Sequence, residues 1–191
     1  MRRAAWILAA AALVAVLVVG IVQGGTETEK TPEFDLAEAK RSLAGAPGPL
    51  AALHARANAL EPDADVATYE AMLRQLKGYP VVVNGWAEWC APCKLEFPIF
   101  QQVSTKLGRR VAFFGVNIED NRERAEAFLR KQPVPYPSLE DGDSRIAQAL
   151  GVGQNLPVTV FYDREGKRFI HQGGYSRQAD LIRDIKRYAG A

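Results

Sequence analysis

Val81-Val82-Val83-Asn84-Gly85-Trp86-Ala87-Glu88-Trp89-Cys90-Ala91-Pro92-Cys93-Lys94-Leu95-Glu96-Phe97-Pro98 decides the reading of this chain. Three consecutive valines predict a strand buried on both faces, W-C-A-P-C predicts a turn, and the residues after Cys93 predict a helix. The only two cysteines in 191 residues therefore stand where a strand passes into a helix. The first turn of a helix presents unpaired N–H groups and about half a positive charge, and both favour a thiolate over a thiol. Cys90 lies near the predicted N-cap. Cys93, three positions later, shares a helix face with it, so the two sulfurs can meet.

Other readings of the pair are weaker. A purely structural disulfide across so short a loop removes little entropy from the unfolded chain, on the order of 2 kcal/mol. Zinc would need two more ligands, and the two histidines, His54 and His171, lie far apart without His-x3-5-His spacing. Two unrelated core cysteines do not account for Trp89 and Pro92 around them. A redox dithiol does.

W-C-A-P-C following P-V-V-V-N-G-W-A resembles the active site of thioredoxin-like proteins, specifically the membrane-tethered thiol-disulfide oxidoreductases of the TlpA, ResA and CcmG type. The resemblance runs from about Gly78 to Ala191 and does not cover Met1 to Lys77. It implies an α/β thioredoxin fold, a central mixed sheet flanked by helices, for residues 78–191. It also implies that Pro157, in N-L-P-V-T-V-F-Y-D, is a cis-proline opening a core strand beside the dithiol. In that position the Leu156 backbone would face Cys90 and pair with an extended substrate. An ordinary trans proline at a strand start is the alternative.

One position departs from the cytosolic thioredoxins, which carry a buried Asp six residues before the first cysteine. Asn84 stands there and cannot exchange a proton. Glu96 instead matches the Glu of the C-x-x-C-x-x-E-F-P pattern in the TlpA and ResA branch. A carboxyl one turn from a buried thiol can take its proton, whereas a solvated helix charge is the bland alternative. Pro98 fits the same pattern and would kink the active-site helix.

Composition agrees with one domain plus appendages, at 48% hydrophobic residues and a formal net charge of +2. Basic residues are scattered, so nucleic acid is not implied. No cofactor is implied either. Ala4 to Val22 carries no charge and follows Arg2 and Arg3. As a helix it would span roughly 28 Å, close to a bilayer core of about 30 Å. Residues 1–23 are thus expected to be a cytoplasmic stub and single transmembrane anchor, with the two arginines inside and the remainder extracytoplasmic. A cleavable signal, followed by secretion, is the alternative, but the apolar run is long and no clean A-x-A site follows it. Residues 24–33 read as a tether.

Residues 34–77 show apolar residues at helical spacing: Leu36, Ala39, Ala44; Leu50, Leu53, Ala57, Leu60; Tyr69, Met72, Leu73, Leu76. Three helices are expected, broken at Gly45 to Pro49 and Glu61 to Asp65, either packed on the core or contacting a partner. His54 is expected on a helix surface. Beyond the active-site helix, to about Leu107, come a buried strand (Val111 to Ile118) and a helix from Asn121 to Lys131 capped by Asp120 or Asn121. A proline-rich extended insert, Gln132 to Leu139, resembles the one in the TlpA group. Glu140, Asp141 and Asp143 lack the alternation of a calcium loop and are read as a turn and N-cap for a helix from Ser144 to Leu150. A hairpin (Val158 to Tyr162, Lys167 to Gln172) carries His171, and a final helix from Ser176 or Arg177 to Ala189 closes the chain. Gly173-Gly174 permits close backbone approach, which in thioredoxin-like folds falls beside the cis-proline loop.

The chemistry expected is dithiol exchange. Cys90, partly exposed, attacks a substrate disulfide, and Cys93, shielded and helped by Glu96, resolves the mixed disulfide. Trp89, Ala91, Pro92 and Leu156 would contact substrate; Trp86 would either shape that surface or pack in the core. Ala91-Pro92 contains no histidine to make the pair a strong oxidant, which leans toward a reductase or isomerase. Protein disulfides are the expected substrates, and an outward-facing reductase should draw electrons from a membrane carrier; the resemblance implies apocytochrome c haem-site cysteines as one client, with general disulfide repair as the alternative. A redox-inactive thioredoxin-fold binding protein is the alternative class. A peroxidase of the peroxiredoxin group would need P-x-x-x-T-x-x-C, and Gly85 to Cys90 lacks the threonine.

Overall fold

The computed structural model describes residues 33–153 and 155–191. The segment expected to anchor the chain lies outside the described residues; among these, no helix is long and apolar enough to cross a membrane.

The organising strand is β2 (Val81–Trp86), in which all six residues are buried. It pairs in parallel with β3 (Ala112–Ile118) on one side and antiparallel with β5 (Val158–Tyr162) on the other. Its side chains alternate between two cores. Val82 and Trp86 enter a cluster with Cys90, Cys93, Phe97, Phe100 and Phe128. Val81 and Val83 enter the opposite one, with Leu50, Leu53, Met72 and Phe114. A strand covered on both faces has no polar side to alternate with, which is why it reads as an unbroken apolar run.

Helix α4 (Ala91–Leu107) follows β2 directly and covers the first face. The second face is covered by the N-terminal extension. Three helices form as expected, α1 (Leu36–Ser42), α2 (Gly48–Ala55) and α3 (Val66–Gln75), but α2 takes in Gly48 and Pro49 from the expected break and stops short of Ala57 and Leu60. Leu50 and Leu53 of α2 and Tyr69 and Met72 of α3 are buried against the sheet. The Tyr69 hydroxyl meets the Tyr162 hydroxyl at 2.9 Å. Of the two expected roles for the extension, packing on the core is the one observed. It also supplies a short strand, β1 (Leu60–Glu61), that spacing alone did not suggest.

The six strands run in the order β1-β4-β3-β2-β5-β6, with β4 spanning Ser138–Asp141 and β6 Arg168–Gln172. The first four in that order are mutually parallel; β5 runs antiparallel to β2, and β6 turns back antiparallel to β5. Helix α5 (Arg122–Lys131) is capped by Asn121, whose side chain accepts from the Arg124 N–H. The proline-rich insert delivers β4, and here one expectation is corrected. Glu140 and Asp141 belong to the strand rather than a turn, while the expected cap from this acidic group for α6 (Arg145–Leu150) does form, Ser144 making no side-chain cap of its own. The buried Asp141 carboxylate caps that helix from the strand end, accepting from the N–H groups of Ile146 at 3.0 Å and Ala147 at 2.9 Å. Helix α7 (Gln178–Asp184) ends the chain, its last turn, Ile185–Ala189, widened to π geometry.

Candidate active site

Cys90 is the N-cap of α4. Its backbone is extended (φ −81°, ψ 99°), and its sulfur accepts the N–H of Cys93 at 3.2 Å. Pro92 fits the first turn, where no intrahelical donor is needed. The two cysteines are joined as a disulfide, their Cα atoms 5.3 Å apart. Cys93 is fully buried, and Cys90, expected to be partly exposed, retains only 4% of its surface. The exposed lip above the sulfurs is made by Trp89, Ala91 and Pro92. Trp89 is 50% exposed and held in place by its indole N–H, which donates to the Glu119 carbonyl at 2.9 Å.

The loop entering the site is fixed by a group that the sequence pattern did not single out for this task. The Asp120 carboxylate accepts from the Glu88 backbone N–H and from the Asn117 amide. Trp86 does not reach the surface: it is fully buried, packs edge-on against Phe97 at 5.1 Å, and donates its indole N–H to Ser138 Oγ at 3.1 Å. Its core-packing alternative is therefore the one observed.

Leu156-Pro157 is a cis peptide bond at the start of β5, and Leu156 is half-buried. The Pro157 carbonyl accepts from Gly173 N–H at 3.0 Å, which brings the double glycine beside the proline loop. A Cβ placed on Gly174 would lie 3.2 Å from Pro157 Cγ, 3.4 Å from Glu96 Oε2 and 3.9 Å from the Pro92 carbonyl. The missing side chain thus lets three separate segments converge.

Glu96 is not a solvated helix charge. It is fully buried, its Oε1 accepts from the Asn84 amide at 2.8 Å, and its Oε2 accepts from the Tyr175 backbone N–H at 3.1 Å. Burial pushes its carboxyl up to about 7, against the opposing pull of those two donors. Tyr175 was not singled out by the sequence; its N–H is usable only because Gly173-Gly174 turns the chain toward α4. Its hydroxyl donates to Asp184 at 2.9 Å, and the His171 ring stacks on it at 4.7 Å.

His171 lies in β6, as expected, and is packed against Tyr175. His54 does not sit freely on a helix surface: it is half-buried, its Nδ1 is enclosed, and burial lowers its pKa. Among the described residues no group of three or more His, Cys, Asp and Glu side chains is placed to hold a metal ion.

The AhpC/TSA family model matches residues 54–167, more than half of the chain. The chain belongs to the AhpC/TSA family. Within that thioredoxin-like family its similarities fit the TlpA, ResA and CcmG type. It is 38% identical over 99 residues to the thiol:disulfide interchange protein DsbE of Escherichia coli (strain K12), covering 51% of each chain. It is 33% identical over 96 residues to the thiol-disulfide oxidoreductase ResA of Bacillus subtilis (strain 168), covering 50% of this chain and 53% of that one. The chain thus matches about half the length of these curated relatives. Among solved structures, DsbF of MTB, described in mixed oxidised and reduced forms, superposes with a TM-score of 0.56 at 31% identity, over 60% of this chain and 84% of that one.

Proposed function

We propose that this AhpC/TSA family member is an extracytoplasmic thiol-disulfide oxidoreductase that reduces disulfides of protein substrates. Residues 1–23 serve as its membrane anchor, 24–33 as tether, and 78–191 carry the chemistry. The observation that carries the reading is the joined Cys90–Cys93 pair capping α4, one turn from the buried carboxyl of Glu96.

In the reduced protein the Cys90 thiolate, stabilised by the Cys93 N–H and the helix terminus, attacks one sulfur of the substrate disulfide. That bond breaks, a mixed disulfide forms, and one substrate thiolate leaves. Cys93 passes its proton to Glu96 and attacks Cys90, closing the intramolecular disulfide and releasing the second substrate thiolate. The substrate gains two electrons, the pair loses two, and a membrane electron donor restores the dithiol. Glu96 suits the proton step because a group near 7 holds or yields a proton at working pH. Trp89, Ala91 and Pro92 form the contact lip, and the Leu156 backbone before Pro157 pairs with the substrate strand. Haem-site cysteines of apocytochrome c are the client that the resemblance suggests.

Replacing Cys93 with Ser leaves Cys90 unable to be displaced from a mixed disulfide. Expressed in cells, this variant is expected to accumulate disulfide-linked proteins at Cys90, and their identity names the client. Finding none would remove the reductase reading. A redox-inactive binding protein would in addition show no reversible change of Trp89 fluorescence on treatment with a mild dithiol.

A further inference from the structure

We propose that the groove between α5 and the start of α4 docks an acidic stretch of the substrate polypeptide beside its disulfide. This selectivity rests on the oxidoreductase reading above and deepens it. The groove encloses about 330 Å³ and is lined by Glu88, Lys94, Arg124, Phe128, Lys131 and Gln132, together with Ala127. Its position ties it to the dithiol: Glu88 lies two residues before Cys90, and Lys94 follows Cys93 directly.

Three lining side chains are cationic, against the single carboxylate of Glu88. That carboxylate is engaged by Lys94, whose Nζ stands 2.6 Å from Glu88 Oε1 and 5.9 Å from the centre of the Phe128 ring. Arg124 and Lys131 face the groove without a second acidic lining residue to answer them. The contrast with Arg122 on the same helix is informative, because it is held by Glu126 at 3.0 Å and by Glu140. The field of the groove is felt at Glu88, whose carboxyl is held below its ordinary range by Lys94 first, then by Arg124 and Lys131.

The spacing specifies the occupant. Arg124 and Lys131 are seven residues apart on one helical face, roughly 10 Å along the axis, with Phe128 as the apolar floor between them. An extended peptide covers that distance in about three residues. Side chains of an extended peptide alternate, so the two carboxylates that face the groove together are two positions apart, about 7 Å, beside a substrate cysteine, and the long Arg124 and Lys131 side chains close the remaining distance over Phe128. Complementary charge of this kind raises the encounter rate and selects partners.

The test uses the full chain, reduced beforehand, and three synthetic peptide disulfides identical except for two flanking residues: Glu and Glu, Gln and Gln, or Lys and Lys. The second-order rate of oxidation of the Cys90–Cys93 pair is read by Trp fluorescence at low and high salt. The acidic peptide is expected to react at least about ten times faster than the neutral one at low salt, with the advantage shrinking as salt rises. In the double variant R124E/K131E, whose fold is checked by circular dichroism, the acidic-to-neutral ratio is expected to fall to one or below. Equal rates for all three peptides, or an acidic preference that persists in the double variant, would overturn the docking proposal while leaving dithiol exchange standing. No oxidation by any peptide would sink the exchange reading, and the docking proposal with it.

Discussion

The Asn84 side-chain amide donates to Glu96 Oε1 at 2.8 Å, with both residues sealed from solvent. A strand position that carries an Asp in cytosolic thioredoxins is here an amide that braces a carboxyl supplied by the helix. The titrating group has moved from β2 to α4, and Asn84 helps to set when it titrates.

Asn84→Ala should therefore change the pH dependence of the second chemical step. The amide stabilises the ionised form of Glu96, so its loss raises the Glu96 pKa further, by about one unit for a charge-assisted bond. The rate of mixed-disulfide resolution, measured by stopped flow against pH, should have its inflection displaced to the alkaline side. An unmoved inflection would show that Asn84 has no hold on Glu96.

Glu96→Gln should alter stability with a definite sign. The folded-state pKa of Glu96 is raised from 4.5 to about 7, so the native state holds this proton more tightly than the unfolded chain does. Its contribution is fully present below the unfolded value and is lost as pH rises through the window from 4.5 to about 7, to a total of about 3 kcal/mol. Urea denaturation of the oxidised protein should show Glu96→Gln gaining on the wild type across that window and holding the gain above it. A difference independent of pH would contradict the burial argument.

Asp141→Ala removes the acceptor for two buried N–H groups at the start of α6. Ser144 supplies no substitute, so the variant should lose about 2 kcal/mol by denaturant titration. Asp141→Asn, which keeps one oxygen acceptor, should lose less.

Gly115→Ala tests how closely β4 approaches β3. A Cβ there would fall 2.2 Å from Ser138 Oγ and 2.9 Å from Trp86 Nε1, breaking the hydrogen bond that orients the buried indole. Overpacking against that bond should destabilise the fold by roughly 2 to 3 kcal/mol, seen as a lowered Tm. An unchanged Tm would mean that β4 can slide away freely.

The fold was legible where local signals and tertiary demands agree. The Val81–Val83 run and the helix after Cys93 follow from their own few residues, the cap of α5 is narrowed locally to Asp120 or Asn121, and the cis bond at Pro157 is what the family resemblance implies. The errors share a cause. Asp141 looks like a turn residue because the helix it caps lies beyond a bend that only the folded chain makes. Trp86 looks like a candidate for the surface because nothing local shows that Phe97 and Phe128 will enclose it. His54 looks free because its cover comes from distant parts of the chain.

By itself the sequence determined that two sulfurs would stand together at the head of a helix, since three-residue spacing and helical geometry settle that within one turn. It also marked Glu96 as a position of interest. Only the tertiary structure decided that Glu96 would be buried, which raises its carboxyl to about 7, and that Asn84, twelve residues earlier, and Tyr175, 79 residues later, would donate to it and oppose that rise. Acidity at this site is a property of long-range packing, set by how much water the assembled core excludes and which distant N–H groups replace it.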